Sequence, residues 1–198
     1  MTFEIFTALL GFAFVSSITP GPNNMMLLAS GANFGFRRSI PHMLGISIGH
    51  SVMILLVGIG LIQIFDAYPI SQTILKVAAV TYMVWLAWKI AHAAPPEVSG
   101  TPQGRPMTFI QAALFQWVNP KGWTMALTAI TVYAPDRTFS GIAFVAIAFA
   151  LTNLPSITTW AVLGQQLRRL LTNPMRLHVF NWTMAILLMA SLWPVLYH

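Results

Sequence analysis

Apolar residues run through this chain in six blocks, at about 5–28, 40–62, 70–92, 109–132, 140–163 and 174–196, with short polar stretches between them. About 20 apolar residues in helical form cross the hydrocarbon core of a bilayer. Apolarity on every face, with no alternation of period two, marks a helix that meets no bulk water. The blocks therefore predict six transmembrane helices. Two starts are signalled locally: Ser39 precedes Ile40-Pro41 and Asn173 precedes Pro174, each reading as an N-cap followed by an early proline. Residues 93–106 hold four prolines and two glycines, cannot continue a helix, and read as a linker. The expected organisation is a three-helix repeat over 1–92, a cytoplasmic Pro-rich linker over 93–107 and a second three-helix repeat over 108–198.

Composition sharpens this picture. Apolar residues make up 57% of the 198 positions and charged residues 7%, against about 25% charged in a soluble domain. The mean hydropathy is +0.72. There is no cysteine, which removes disulfides, thiolate metal sites and thiol catalysis. The net charge of +6 would suggest nucleic acid in a soluble protein, but here the cations sit in short loops. Arg37, Arg38, Lys89, Arg105, Arg168, Arg169 and Arg176 fall at the first, third and fifth loops, whereas Lys76 and Arg137 fall on the other side. The positive-inside rule places the odd loops in the cytoplasm and both termini outside. The first block lacks a basic n-region and a cleavage site, so it reads as a retained helix rather than a signal peptide.

The halves look related. An offset of 100 pairs Pro20 with Pro120, and the loop Phe36-Arg37-Arg38 with Asp136-Arg137-Thr138. Three helices per half is an odd number, so the second half enters from the opposite face. That is an inverted-topology repeat, with one repeat expected to rock against the other.

Chemistry concentrates where the first and fourth helices are broken. Thr19-Pro20-Gly21-Pro22-Asn23-Asn24 lies deep in the first block. Each proline removes a donor and displaces the carbonyl four residues earlier, so the carbonyls of Ser16 and Ile18 need new partners. A helix restarting near Pro22 presents free N–H groups and a positive dipole end. Gln116-Trp117-Val118-Asn119-Pro120-Lys121-Gly122 repeats the theme, with Pro120 freeing the carbonyl of Gln116 and Lys121 about 18 Å into the helix. An intramembrane ammonium must meet water, carbonyls or an anion. Half-helix N–H groups or Lys121 suit a carboxylate; the carbonyls and the Asn23, Asn24 and Asn119 amides suit an ammonium. Thr19, Pro20, Gly21, Pro22, Asn23, Asn24, Gln116, Asn119, Pro120 and Lys121 are thus the candidate substrate-binding residues, and the alternative is a pair of ordinary proline kinks. His50 is a candidate proton relay, with Gly45 and Gly49 a helix-packing stripe beside it. Thr152-Asn153-Leu154-Pro155 is expected to interrupt the fifth helix.

The Thr-Pro-Gly-Pro-Asn-Asn segment, Gly35-Phe36-Arg37-Arg38-Ser39, the Gly45-x-x-x-Gly49 helix and Asn119-Pro120-Lys121 resemble the lysine exporter / homoserine–threonine resistance (LysE/RhtB) family over essentially the whole chain. Tyr82-Met83-Val84-Trp85-Leu86-Ala87-Trp88-Lys89-Ile90 is most similar to its cysteine/O-acetylserine exporter group. The resemblance implies proton-driven efflux of amino acids or their derivatives across a bacterial cytoplasmic membrane. No carboxylate falls within a predicted membrane core, so a neutral substrate is expected and His50 or Lys121 would carry any proton coupling. The expected architecture is all-α and polytopic. The expected partners are an amino-acid substrate and the lipid bilayer, without nucleic acid, metal, cofactor or catalytic residue; a homodimer stays open. The alternative reading is a non-transporting membrane interaction or assembly subunit.

Overall fold

A computed structural model describes residues 3–61, 63, 67–68, 70–93 and 104–192. The expected helix ends at 62 and 196, most of the linker, and Asp66, Glu97 and Trp193 lie outside the described residues. Within them the secondary structure is entirely helical. The first expected span comprises α1 (Phe3–Ile18) and α2 (Pro22–Phe34), bent by 55° at the break. The second is α3 (Phe36–Leu56), continued by a π-helical turn, Val57–Leu61. The third is α4 (Ile70–Ala91). The fourth is α5 (Phe109–Phe115), a 3₁₀ turn (Gln116–Val118) and α6 (Pro120–Tyr133). The fifth and sixth are α7 (Phe139–Arg168) and α8 (Pro174–Ala190). By length and apolarity, α3 with its π-helical continuation, α4 and α7 each suffice to cross a bilayer alone, and the bent α1–α2 pair passes the same test only if taken together.

The local chemistry explains most boundaries. Thr108 and Gln111 form a reciprocal capping box at α5, Thr138 accepts from the Gly141 amide at α7, and Asn173 accepts from the Met175 amide with Pro174 in the first turn of α8. Two boundaries differ from the sequence reading. Ser39 is not an N-cap. Gly35, at φ 81°, ends α2 and starts α3 at once, a left-handed conformation that favours glycine. Ser39 lies inside α3 and donates instead to the Gly35 carbonyl (2.9 Å). Nor does Pro155 interrupt the fifth helix, because α7 runs unbroken for 30 residues; flanking helices hold it on several sides, and membrane helices tolerate a lost donor in such packing.

The helices pack through small residues. α7 is central, touching α1, α2 and α3, while α3 also packs on α5, and α4 on α8. A Cβ on Gly31 would strike the Ala161 carbonyl, and one on Gly164 the Leu28 carbonyl, so α2 and α7 meet backbone to backbone. Gly45 and Gly49 stand likewise against Phe109, Ala112 and Ala113 of α5. Large side chains such as Ile74, Val77, Leu114, Ile147, Leu151 and Ile186 point outward, a surface suited to lipid.

Two large apolar clusters fill the interior of the described residues, beside a small third one of Leu28, Ala29 and Met184. Of the two large ones, one contains Leu27, Ile46, Phe115 and Ile157; the other contains Ala13, Met53, Ala126 and Phe149. Along each of the first, second, fourth and fifth spans the changeover between clusters falls on buried polar residues: Ser17 and Asn24, His50, Asn119, and Asn153. The molecule therefore has a polar waist between two apolar layers.

Candidate functional site

The waist is built by the two broken spans. Gly21 is extended (φ −171°), α2 restarts at Pro22, and no side chain caps its first turn. α6 restarts at Pro120 behind Asn119, again without a side-chain cap. Each restart leaves first-turn N–H groups and a positive dipole end at the waist. An ideal Cβ on Gly21 would lie 2.6 Å from Lys121 Cδ and 3.2 Å from its Nζ, so the Lys121 arm crosses against the first break. Its ammonium donates to the carbonyls of Thr19 and Pro20.

Of the carbonyls around the first break, those of Ser17, Ile18 and Thr19 find protein partners. Asn24 Nδ2 donates to Ser17 (2.9 Å) and Thr19 (2.8 Å), and the Trp160 indole donates to Ile18 (3.0 Å). The Gln116 carbonyl, expected to be freed by Pro120, instead accepts the Asn119 amide at 3.3 Å. The chain tightens into a 3₁₀ turn there, which closes a bond one residue earlier than the lost helical one.

Asn23 and Gln116 face one another across the two breaks. Asn23 Nδ2 donates to Gln116 Oε1 at 2.8 Å, Gln116 Nε2 returns a bond to Asn23 Oδ1 at 3.2 Å, and Gln116 also donates to the Ala112 carbonyl at 2.9 Å. Polar capacity is left over nearby. Ser17 Oγ, His50 Nε2 and Asn119 Oδ1 are buried without a hydrogen-bond partner among the described residues. Unsatisfied polar atoms clustered at membrane depth are expensive unless something polar visits them.

Of the residues singled out from the sequence, Gly21, Pro22, Asn23, Asn24, His50, Asn119 and Lys121 line one small cavity. Thr19 and Pro20 are exposed and contribute carbonyls to Lys121; Gln116 is fully buried behind Asn23, and Pro120 starts α6 beside the wall. Ser16, Ser17 and Asn153 also line it and were not singled out as ligands. Asn153 carried a signal, a buried amide beside a proline, but reads as a helix breaker when its neighbours in space are unknown. The cavity measures about 20 Å³, room for about one water. No described residues form a group of three or more metal-ligating side chains.

Comparison with known proteins gives a consistent picture. The LysE type translocator family matches residues 14–191. The cysteine/O-acetylserine efflux protein of Escherichia coli (strain K12) is 32% identical over 174 residues, covering 86% of this chain and 87% of that protein. The protein of the same description from Shigella sonnei (strain Ss046) shows the same 32% identity and coverage. No solved structure matches the chain.

Proposed function

The chain belongs to the LysE type translocator family, and from that membership and the geometry of the waist we propose that it exports a neutral amino acid or derivative by alternating access. Its efflux relatives are carriers and not enzymes. The observation that carries the reading is the pair of uncapped half-helix starts, at Pro22 and Pro120, turned toward one polar waist with Ser17, His50 and Asn119 held in reserve. A carboxylate suits those dipole ends and Lys121; an ammonium suits the Asn119 oxygen and the carbonyls at the first break. The efflux relatives are described for cysteine and O-acetylserine, which makes small neutral amino acids of that kind, with homoserine and threonine, the substrates to try first. Proton coupling would run through His50 or Lys121, the titratable side chains on the waist wall.

The same reading takes the chain as six spans in two inverted repeats. In chain order, exchanging the halves takes α1 to α5 and α2 to α6, and the pairing of α1 with α7 then corresponds to that of α5 with α3. It leaves α3–α7 and α4–α8 in place. Left-handed residues also stand at corresponding junctions, Gly35 before α3 and Arg137 (φ 49°) before α7. The loop cations favour a cytoplasmic-membrane orientation with both termini outside. An alkaline phosphatase fusion at the C-terminus should be active, and an inactive one would reverse the orientation.

The test of function is efflux from substrate-loaded vesicles. Asn119→Ala removes an oxygen that bonds to no described group, so the protein should fold while export falls about 100-fold, a loss of about 2.7 kcal/mol in the transport barrier. Unchanged export by that variant removes the waist as the site. Wild-type efflux no greater than from protein-free vesicles returns the chain to the assembly-subunit reading.

A further inference from the structure

The waist holds about 20 Å³, but a second cavity of about 310 Å³ opens beside the linker end of the molecule. That is the low end of volumes that bind small molecules. Its walls come from α2, α3, α4 and residues 104–107, with Met26, Leu86 and Met107 giving it an apolar floor. Four described cationic or imidazole groups stand around it: Lys89, whose ammonium lies 5.3 Å from the Trp85 ring centroid, Arg105, which makes no hydrogen bond or ion pair among the described residues, His92, whose Nδ1 pairs with the Trp88 carbonyl, and His42. His42 is 1% exposed, and neither ring nitrogen has a hydrogen-bond partner among the described residues. None of the described lining residues is acidic. Ser30 adds a hydroxyl on the same wall. Its neighbour Ser39 spends its proton on the Gly35 carbonyl, so Ser30 donates to Ser39 (2.7 Å) and keeps its own lone pairs.

Apolar floor, cationic rim and an unpartnered imidazole together fit a small carboxylate with a short side chain. The cavity adjoins the path already described. Met26 on its floor is one helical turn along α2 from Asn23, about 4.5 Å along the axis, and Asn23 lines the waist. The Asn23–Gln116 bridge therefore stands between the two spaces.

We propose that this cavity is a loading subsite, where the carboxylate of an incoming amino acid meets Lys89, Arg105 and His42 before the molecule passes the Asn23–Gln116 bridge. The inference rests on the exporter reading. It assigns to the linker side a binding step distinct from the waist.

The cysteine-free chain makes the test clean. Ala93→Cys places one thiol on the cavity wall. Inverted membrane vesicles carrying it are labelled with a membrane-impermeant maleimide, with and without O-acetyl-L-serine, and uptake of radiolabelled O-acetyl-L-serine is measured in parallel. O-acetyl-L-serine should slow labelling at least 5-fold, its methyl ester should not, and Lys89→Gln with Arg105→Gln or His42→Gln should each abolish the protection. Uptake without protection overturns the subsite and leaves export standing. Protection without uptake keeps the carboxylate site but overturns export and with it the loading role, and loss of both overturns both. Equal protection by the ester, or protection that survives all the variants, overturns the assignment of the carboxylate to these residues.

Discussion

Replacing Asn23 with alanine removes two of the three hydrogen bonds that hold the Gln116 amide. Gln116 is 0% exposed, so its Oε1 loses its donor with no water to replace it, while Nε2 keeps the Ala112 carbonyl. Stranding a buried amide oxygen costs about 1–3 kcal/mol. At about 2–4 °C per kcal/mol for a chain of this size, the midpoint of thermal unfolding should fall by about 2–12 °C. Gln116→Ala should cost less, near 1 kcal/mol, because Asn23 borders the waist cavity and can turn toward it. If the two side chains are partners, the double variant should be more stable than the sum of the single losses predicts. The coupling should be about 0.6 kcal/mol, the mean for polar pairs inside a membrane protein, and at most about 1.7. Unfolding followed by tryptophan fluorescence in detergent reads this directly, since the chain carries seven tryptophans. Single losses that add up to within about 0.3 kcal/mol would refute the bridge between the two broken spans.

Gly21→Ala tests space rather than backbone conformation, since φ −171° is open to any residue. The new methyl would displace the Lys121 arm from the Thr19 and Pro20 carbonyls. The protein should fold and lose about 10-fold in transport rate, about 1.4 kcal/mol; a full rate would show that the Lys121 contact is idle. Gly49→Val should prevent recovery of folded, monodisperse protein, because even a Cβ there would lie 2.5 Å from Ala113 Cα in the backbone of α5. Normal yield and melting temperature would disprove that close approach.

The spans were legible because each crossing must be apolar on every face, and the breaks because proline cannot donate. The breaks at Pro20–Pro22 and Pro120, and the cap at Asn173, follow from local chemistry alone. What escaped is what depends on partners distant in sequence. Asn23 and Gln116 are 93 positions apart, and no local pattern says that they satisfy one another. Ser39 looks like a cap until Gly35 is seen to take a left-handed turn and start the helix earlier. Asn153 looks like a breaker until α7 is packed on three sides and its amide turns to the waist. The larger cavity has no sequence signature at all, because its walls are isolated residues from α2, α3, α4 and the segment before α5.

The interlock of Gly31 with Gly164 has a mechanical meaning. Backbones in direct contact cannot slide past each other without an energetic collision, so α2 and α7 travel as one strut although they come from opposite halves of the chain. In the alternating access proposed above, the hinge line would then not follow the boundary between the two halves of the chain. It would run between α1, α2, α3 and α7 on one side and the α4–α8 pair packed beside them on the other.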